Sequence, residues 1–144
     1  LSWNRFHNHH NPFLVGHSDD NGEEDIGSLQ VTYHHNVFEN LGGGVPIVRF
    51  GSVHLFNNLF RDIIQTETRS GVAVLSKMDA CVRLDHNLFD NVAFPIATTQ
   101  KGTEYPEVAG WIWERMISAR LPEWRRNLPA IWNFPTHSIM CFTG

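Results

Sequence analysis

The amino-acid sequence predicts an all-β protein, a right-handed parallel β-helix (solenoid) fragment with a partly helical C-terminal segment. A four-copy internal repeat and the period-two alternation of apolar residues inside the copies support this fold class. Successive copies lie 32, 22 and 29 residues apart. Such uneven spacing is typical of solenoid coils that differ in the length of their loops.

The repeat is centred on an asparagine that is followed two positions later by phenylalanine. In the last three copies, apolar residues also stand five and three positions before the asparagine, which is the alternation of a strand. We expect each asparagine at a corner between two strands, bonded through its amide to the next coil, with each phenylalanine pointing inward. The asparagines are Asn4, Asn36, Asn58 and Asn87, and the phenylalanines are Phe6, Phe38, Phe60 and Phe89.

The composition changes near residue 106, which divides the chain into residues 1–105 and 106–144. The second segment holds four of the five tryptophans and lacks the repeat. Its stretch from Pro106 to Arg120 places apolar residues on one side of a helix. The segment could cap the solenoid, whose open end would expose strand edges; a poorly ordered tail or a gene-model error remain alternatives.

Charge and hydropathy narrow the choice of partners. The formal net charge is −4 with 18% charged residues, so no basic surface for nucleic acid is expected, and no apolar run is long enough to cross a membrane. We expect a monomer that binds neither nucleic acid nor a membrane.

Cys81 and Cys141 could form a disulfide or could each be a small buried residue. Leu1 stands where an initiator Met would be, so we expect a truncated chain that begins inside a longer protein.

Three stretches of the chain identify a family. The "VTYHHN", "VPIVRFG" and "VHLFNN" segments follow one another within the region from Ser2 to about Asn91. This region resembles the pectate lyases of the polysaccharide-lyase β-helix family. The resemblance implies a secreted, extracellular lyase of pectin degradation that cleaves polygalacturonate, an acidic polysaccharide, by calcium-dependent β-elimination.

The resemblance also assigns roles to individual positions. In the family motif R-x-P-x-x-R, the first arginine acts as the base and the second holds a substrate carboxylate; here these positions are Gly44 and Arg49. A substrate-binding lysine of the family corresponds to Asn11. The family's primary calcium carboxylates would fall before Leu1, so we expect no calcium ligands in this chain. Arg49 and Asn11 are therefore the predicted substrate-binding positions, with no catalytic residue.

These departures lead to two functional hypotheses. The first is a pectate lyase-like protein of polygalacturonate degradation that is truncated and catalytically impaired. The alternative is a non-catalytic β-helix that binds acidic polysaccharide. If the chain proved active, a histidine such as His34, His35 or His54 would be the first place to look for another base.

Other clusters of polar residues favour structural roles. The His7 and His9 pair has no partnered Cys or Glu at a spacing typical of zinc sites. The acidic stretch from Asp19 to Asp25 lacks the spacing of an EF-hand, and we expect a solvated turn there. The glycines from Gly42 to Gly44 lack a phosphate-loop context and predict a flexible turn between coils.

Overall fold

The computed structural model describes residues 1–99, 131–133 and 138–141. The regular secondary structure of the described residues is entirely β-strand apart from one single-turn helix. The elements in chain order are β1 Arg5–His9, β2 Leu14–Val15, α1 Gly22–Asp25, β3 Gln30–His34, β4 Val37–Leu41, β5 Ile47–Arg49, β6 Ser52–Phe56, β7 Leu59–Ile63, β8 Val72–Lys77, β9 Cys81–Asp85, β10 Leu88–Val92, β11 Phe94–Thr99, β12 Ile131–Asn133 and β13 Ser138–Cys141.

The strands form three sheets, and the chain visits the sheets in turn. The first sheet has the order β1-β4-β7-β10-β12, the second β2-β5-β8-β11 and the third β3-β6-β9-β13. All pairs among β1 to β11 are parallel. Each group of three consecutive strands is therefore one coil stacked on the next, which confirms the predicted parallel β-helix.

The four asparagines form one hydrogen-bonded column along the coils. The side-chain amide of Asn36 donates to Asn58 Oδ1 over 3.1 Å, and that of Asn58 donates to Asn87 Oδ1 over 2.9 Å. The same oxygens accept the backbone N–H groups of Asn36 and Asn58. Asn4 joins the column through Asn36 Oδ1. Each buried asparagine satisfies donors of the preceding coil, so the column holds every corner in register.

The four phenylalanines stack inside the solenoid as predicted. Ring centroids are 5.6 Å apart between Phe6 and Phe38, 4.9 Å between Phe38 and Phe60 and 4.6 Å between Phe60 and Phe89. The last three of these side chains are fully buried. Because the phenylalanines stand in register on adjacent parallel strands, they supply a continuous aromatic spine to the core.

A second, smaller group of buried apolar residues follows the second sheet. Ile47, Val72, Leu75 and Ala97 form it, separate from the main core. Ile47 neighbours Val48, which belongs to the main core. Because successive side chains of a strand alternate between its faces, Ile47 lies on the outer face of the sheet.

The last two strands reverse direction against the final coil. β12 pairs antiparallel with β10, and β13 pairs antiparallel with β9. Cys81 is disulfide-bonded, and Cys141, the second of the chain's two cysteines, lies opposite it in the strand register. The helix predicted from Pro106 to Arg120 lies outside the described residues, so the division of the chain at residue 106 stays a prediction.

Within residues 1–99, 131–133 and 138–141, no helix has the length and apolar character needed to span a bilayer.

Candidate functional site

Arg49 lies at the end of β5 on the outer face of the second sheet. It stands two positions after Ile47 and therefore shares its face. Its side chain is 13% exposed, and its Nε donates to Asp19 Oδ1 over 2.5 Å. Nη1 donates to the carbonyl oxygen of Gly16 over 3.3 Å. The predicted substrate-binding arginine is thus held by an internal carboxylate.

Lys77 adds a second cation beside Arg49. The two residues are register partners on β5 and β8. The Lys77 side chain is only 2% exposed, and its Nζ lies 3.1 Å from Asp19 Oδ2. One carboxylate therefore bridges two cations from neighbouring coils. We call Asp19, Arg49 and Lys77 the cation cluster.

The sequence interpretation missed both Lys77 and the role of Asp19. A usable signal exists, because "VPIVR" and "VAVLSK" are both apolar strands that end in a basic residue. However, the sequence alone does not show that the C-terminal ends of β5 and β8 lie side by side, because this depends on the register between the two strands. Asp19 was expected in a solvated turn, and that expectation was wrong for this residue, whose side chain is 16% exposed.

Gly16 allows the segment that carries Asp19 to approach β5. It has a φ of +82°, a left-handed conformation that favours glycine. A Cβ at this position would collide with the backbone oxygen of Arg49. The close approach therefore depends on glycine, and it brings Asp19, three residues later, to the arginine.

Gly44, the position that the resemblance assigned to the family's base, is buried and precedes β5 by three residues. Its φ is +62°. A Cβ built on it would lie 2.7 Å from Ile47 Cγ1 and 2.9 Å from Ile47 Cδ1, so Ile47 fills the space that a side chain would need. Asn11 Oδ1 would be 3.8 Å from the same atom. The structure thus places Asn11 and Gly44 together.

The glycine run is also better anchored than the sequence indicated. Gly42 N–H donates to the His9 carbonyl over 2.9 Å, and Gly44 N–H donates to the Val72 carbonyl over 2.8 Å. All three glycines are buried. The expectation of a flexible turn was therefore wrong, because these backbone groups bond to adjacent coils.

The candidate histidines lie on the third sheet and its corner. His54 Nε2 lies 2.6 Å from Asp85 Oδ2, an oxygen that also accepts Arg83 Nε over 2.7 Å. His34 Nδ1 lies 3.0 Å from His35 Nδ1. Desolvation lowers the pKa of His34, and the charges of His35 and the N-terminus lower it further. None of these three residues belongs to the sheet that carries Arg49.

The donor groups do not fit a calcium site. No group of three or more His, Cys, Asp or Glu residues that could hold a metal occurs within the described parts of the chain. In the acidic stretch, the carboxylate of Asp19 is committed to Arg49 and Lys77. Calcium takes six to eight oxygen ligands, so we derive no chemical step through it.

The fold and the cluster first define a class of protein. This is a parallel β-helix solenoid that carries two cations and one carboxylate on the outer face of one sheet. A family model described as pectate lyase matches residues 1–108, more than half of the chain. The chain belongs to the pectate lyase family.

Individual relatives agree with this assignment. Pectate lyase E of Dickeya chrysanthemi is 50% identical over 60 residues, covering 42% of this chain and 15% of the relative. The pectate trisaccharide-lyase of Bacillus licheniformis is 39% identical over 98 residues, covering 68% of this chain and 26% of the relative. The chain thus spans about a quarter or less of the length of these curated relatives.

The chain is also similar to part of a solved structure. A double variant of a pectate lyase from Xanthomonas campestris covers 74% of this chain, which covers 36% of that structure in return. The sequence identity is 23% and the TM-score is 0.45.

Proposed function

We propose that this chain binds a galacturonate-type acidic polysaccharide as a pectate lyase-like protein and does not catalyse the elimination step by itself. The observation that supports binding is the pair of adjacent cations, Arg49 and Lys77, on the outer face of one sheet. By family, we further propose secretion and a role in pectin degradation.

Arg49 is suited to hold a uronate carboxylate. A guanidinium has five N–H donors in a planar fork that matches the two oxygens of a carboxylate. Nε and one N–H of Nη1 bond to Asp19 and Gly16. Nη2 makes no hydrogen bond with any part of the chain that the structure describes, so it can donate to a ligand. Neutralising the substrate's carboxylate would make its C5 proton more acidic.

Removing that proton requires a base, which position 44 does not provide. Glycine has no titratable side chain, and Ile47 fills the adjacent space. Loss of a general base typically lowers the rate by about 10²–10⁴-fold. The arrangement therefore supports binding of the polysaccharide more strongly than its cleavage.

The test measures cleavage and binding separately. We expect no β-elimination of polygalacturonate with calcium, followed as ultraviolet absorbance of the unsaturated product. We expect Arg49→Ala to weaken the affinity for galacturonate oligomers by roughly 1.5–3 kcal/mol, the range for a hydrogen bond to a charged group. Arg61→Ala is the control, since Arg61 is a half-exposed arginine on the first sheet that pairs with Asp90.

Two results would contradict the proposal. Equal affinity for the Arg49→Ala and Arg61→Ala variants would remove the assigned role of Arg49. Calcium-dependent elimination by the unmodified chain would show that another base acts. His54, with its carboxylate partner Asp85, would then be the first residue to replace.

A further inference from the structure

The Asp19 carboxylate occupies the groups that an anionic ligand would need. Oδ1 accepts Arg49 Nε over 2.5 Å, and Oδ2 lies 3.1 Å from Lys77 Nζ. Asp19 lies in the connection between β2 and α1, outside the three sheets. A loop residue thus supplies the negative charge to two cations that are fixed on strands.

The charges of the cluster do not balance. Neighbouring parallel strands lie about 4.8 Å apart, so two cations in register repel each other unless an anion lies between them. Asp19 supplies one negative charge against two positive charges, of which that of Lys77 is almost completely buried. Because the two cations share a single carboxylate, a second anion at this place would be attracted to them.

The same register column continues to the next coil. Thr99 on β11 pairs with Lys77, as Lys77 pairs with Arg49. Thr99 Oγ1 is buried and makes no hydrogen bond with the described residues. A cation, a second cation and a hydroxyl group that bonds to none of the described residues therefore follow one another along the solenoid. Carboxylates and hydroxyls of an acidic sugar chain match this series of groups.

We propose that Asp19 is an internal competitor for the substrate's carboxylate and that Lys77 is a second carboxylate-binding residue of the Arg49 site. The proposal rests on the proposed function, since it concerns the same ligand. A uronate carboxylate displaces Asp19 from Arg49, and the buried Lys77 reaches the ligand only after Asp19 has moved. Asp19 therefore lowers the affinity that the two cations would otherwise have for a polyuronate.

The test is calorimetric titration with trigalacturonate. Asp19→Asn keeps the size of the side chain and removes its charge. We expect this variant to bind about ten-fold more tightly than the unmodified chain, and Lys77→Met to bind several-fold more weakly. Asp20→Asn, the same change at the neighbouring exposed position, is the control and should bind as the unmodified chain does.

The outcomes separate this inference from the proposed function. If Arg49→Ala abolishes binding but Asp19→Asn binds equally or more weakly, Asp19 only orients Arg49 and the inference is wrong. If neither the unmodified chain nor Asp19→Asn binds, the proposed function fails as well. Tight binding by Asp19→Asn alone would support the inference and contradict the proposed function, because the internal carboxylate would then block the site of the unmodified chain completely.

The Asp19→Asn variant leaves two cations without their carboxylate, which could prevent folding. If the single variant does not fold, the double variant Asp19→Asn with Lys77→Met tests the inference, because it removes one charge of each sign. We expect it to bind at least three-fold more tightly than the unmodified chain, since Arg49 Nε is released. Binding no tighter than that of the unmodified chain would overturn the inference.

Discussion

At the scale of single residues, Gly44 shows how backbone conformation and packing at one position both favour glycine. Its φ of +62° is left-handed, and Ile47 lies within 3 Å of the place a Cβ would take. A non-glycine residue in this conformation costs about 1–2 kcal/mol, and overpacking a filled site adds about 1–3 kcal/mol. Any larger residue at this position is therefore costly.

We therefore expect Gly44→Arg to lower the free energy of unfolding by about 2–5 kcal/mol without restoring elimination. Urea denaturation measures the first effect and product absorbance the second. Gly27→Arg is the matched control, because Gly27 also has a left-handed φ, of +79°, but has open space around its Cβ position. It should cost only the backbone term of about 1–2 kcal/mol. Equal losses for the two variants would show that Ile47 does not fill the site.

At the scale of elements, the asparagine column makes the coils dependent on one another. Asn58 donates to the Tyr33 carbonyl and to Asn87, and its oxygen accepts two N–H groups of Asn36. Removing this amide leaves several buried polar groups without partners, each at a cost of about 1–3 kcal/mol. The corner between β6 and β7 therefore depends on one side chain.

We expect Asn58→Ala to destabilise the fold by about 2–5 kcal/mol, measured by thermal or urea unfolding. Asn4→Ala is the control at the exposed end of the same column, where water can replace the lost bonds, and it should cost less than about 1 kcal/mol. A similar loss in both variants would mean that burial along the column does not determine the contribution of each amide.

The elements were predictable where the chemistry repeats along the chain. The asparagine at every corner and the phenylalanine two positions later predicted the coils and the core, because every copy of the repeat places the same residue types at the same structural positions. The cation cluster was not predictable in this way. Lys77 meets Arg49 only through the register of β5 and β8, and Asp19 reaches both only because Gly16 permits a close approach. Gly44 and Arg49 came from the family motif, and their predicted roles remain to be tested.

At the scale of the whole molecule, the final coil is fastened by a covalent link as well as by strand pairing. Cys81 on β9 is disulfide-bonded, and β13 brings Cys141 opposite it. A disulfide between residues so distant in sequence restricts the unfolded chain, for which the loop-entropy model gives about 3–5 kcal/mol. The link should therefore contribute to the stability of the entire solenoid.

We expect a reductant to lower the unfolding temperature of the unmodified chain. Cys81→Ala should unfold at a similarly reduced temperature and should be insensitive to the reductant, which separates loss of the disulfide from other effects of the reagent. An unfolding temperature that does not respond to reduction would show that the link adds nothing to the antiparallel pairing of β9 and β13.

The asparagine column also gives the solenoid a direction. Along the column, each asparagine donates an N–H to the oxygen of the next asparagine toward the C-terminus, while Asn36, Asn58 and Asn87 also donate to a backbone carbonyl of the preceding coil. Aligned hydrogen bonds polarise one another. The two ends of the column are therefore chemically unlike: the Asn4 end presents an amide oxygen that accepts N–H donors, whereas Asn87 lies in the coil whose strands β9 and β10 pair with β13 and β12. Stacking obeys a head-to-tail rule, and two copies of this solenoid cannot extend the column by meeting through identical ends.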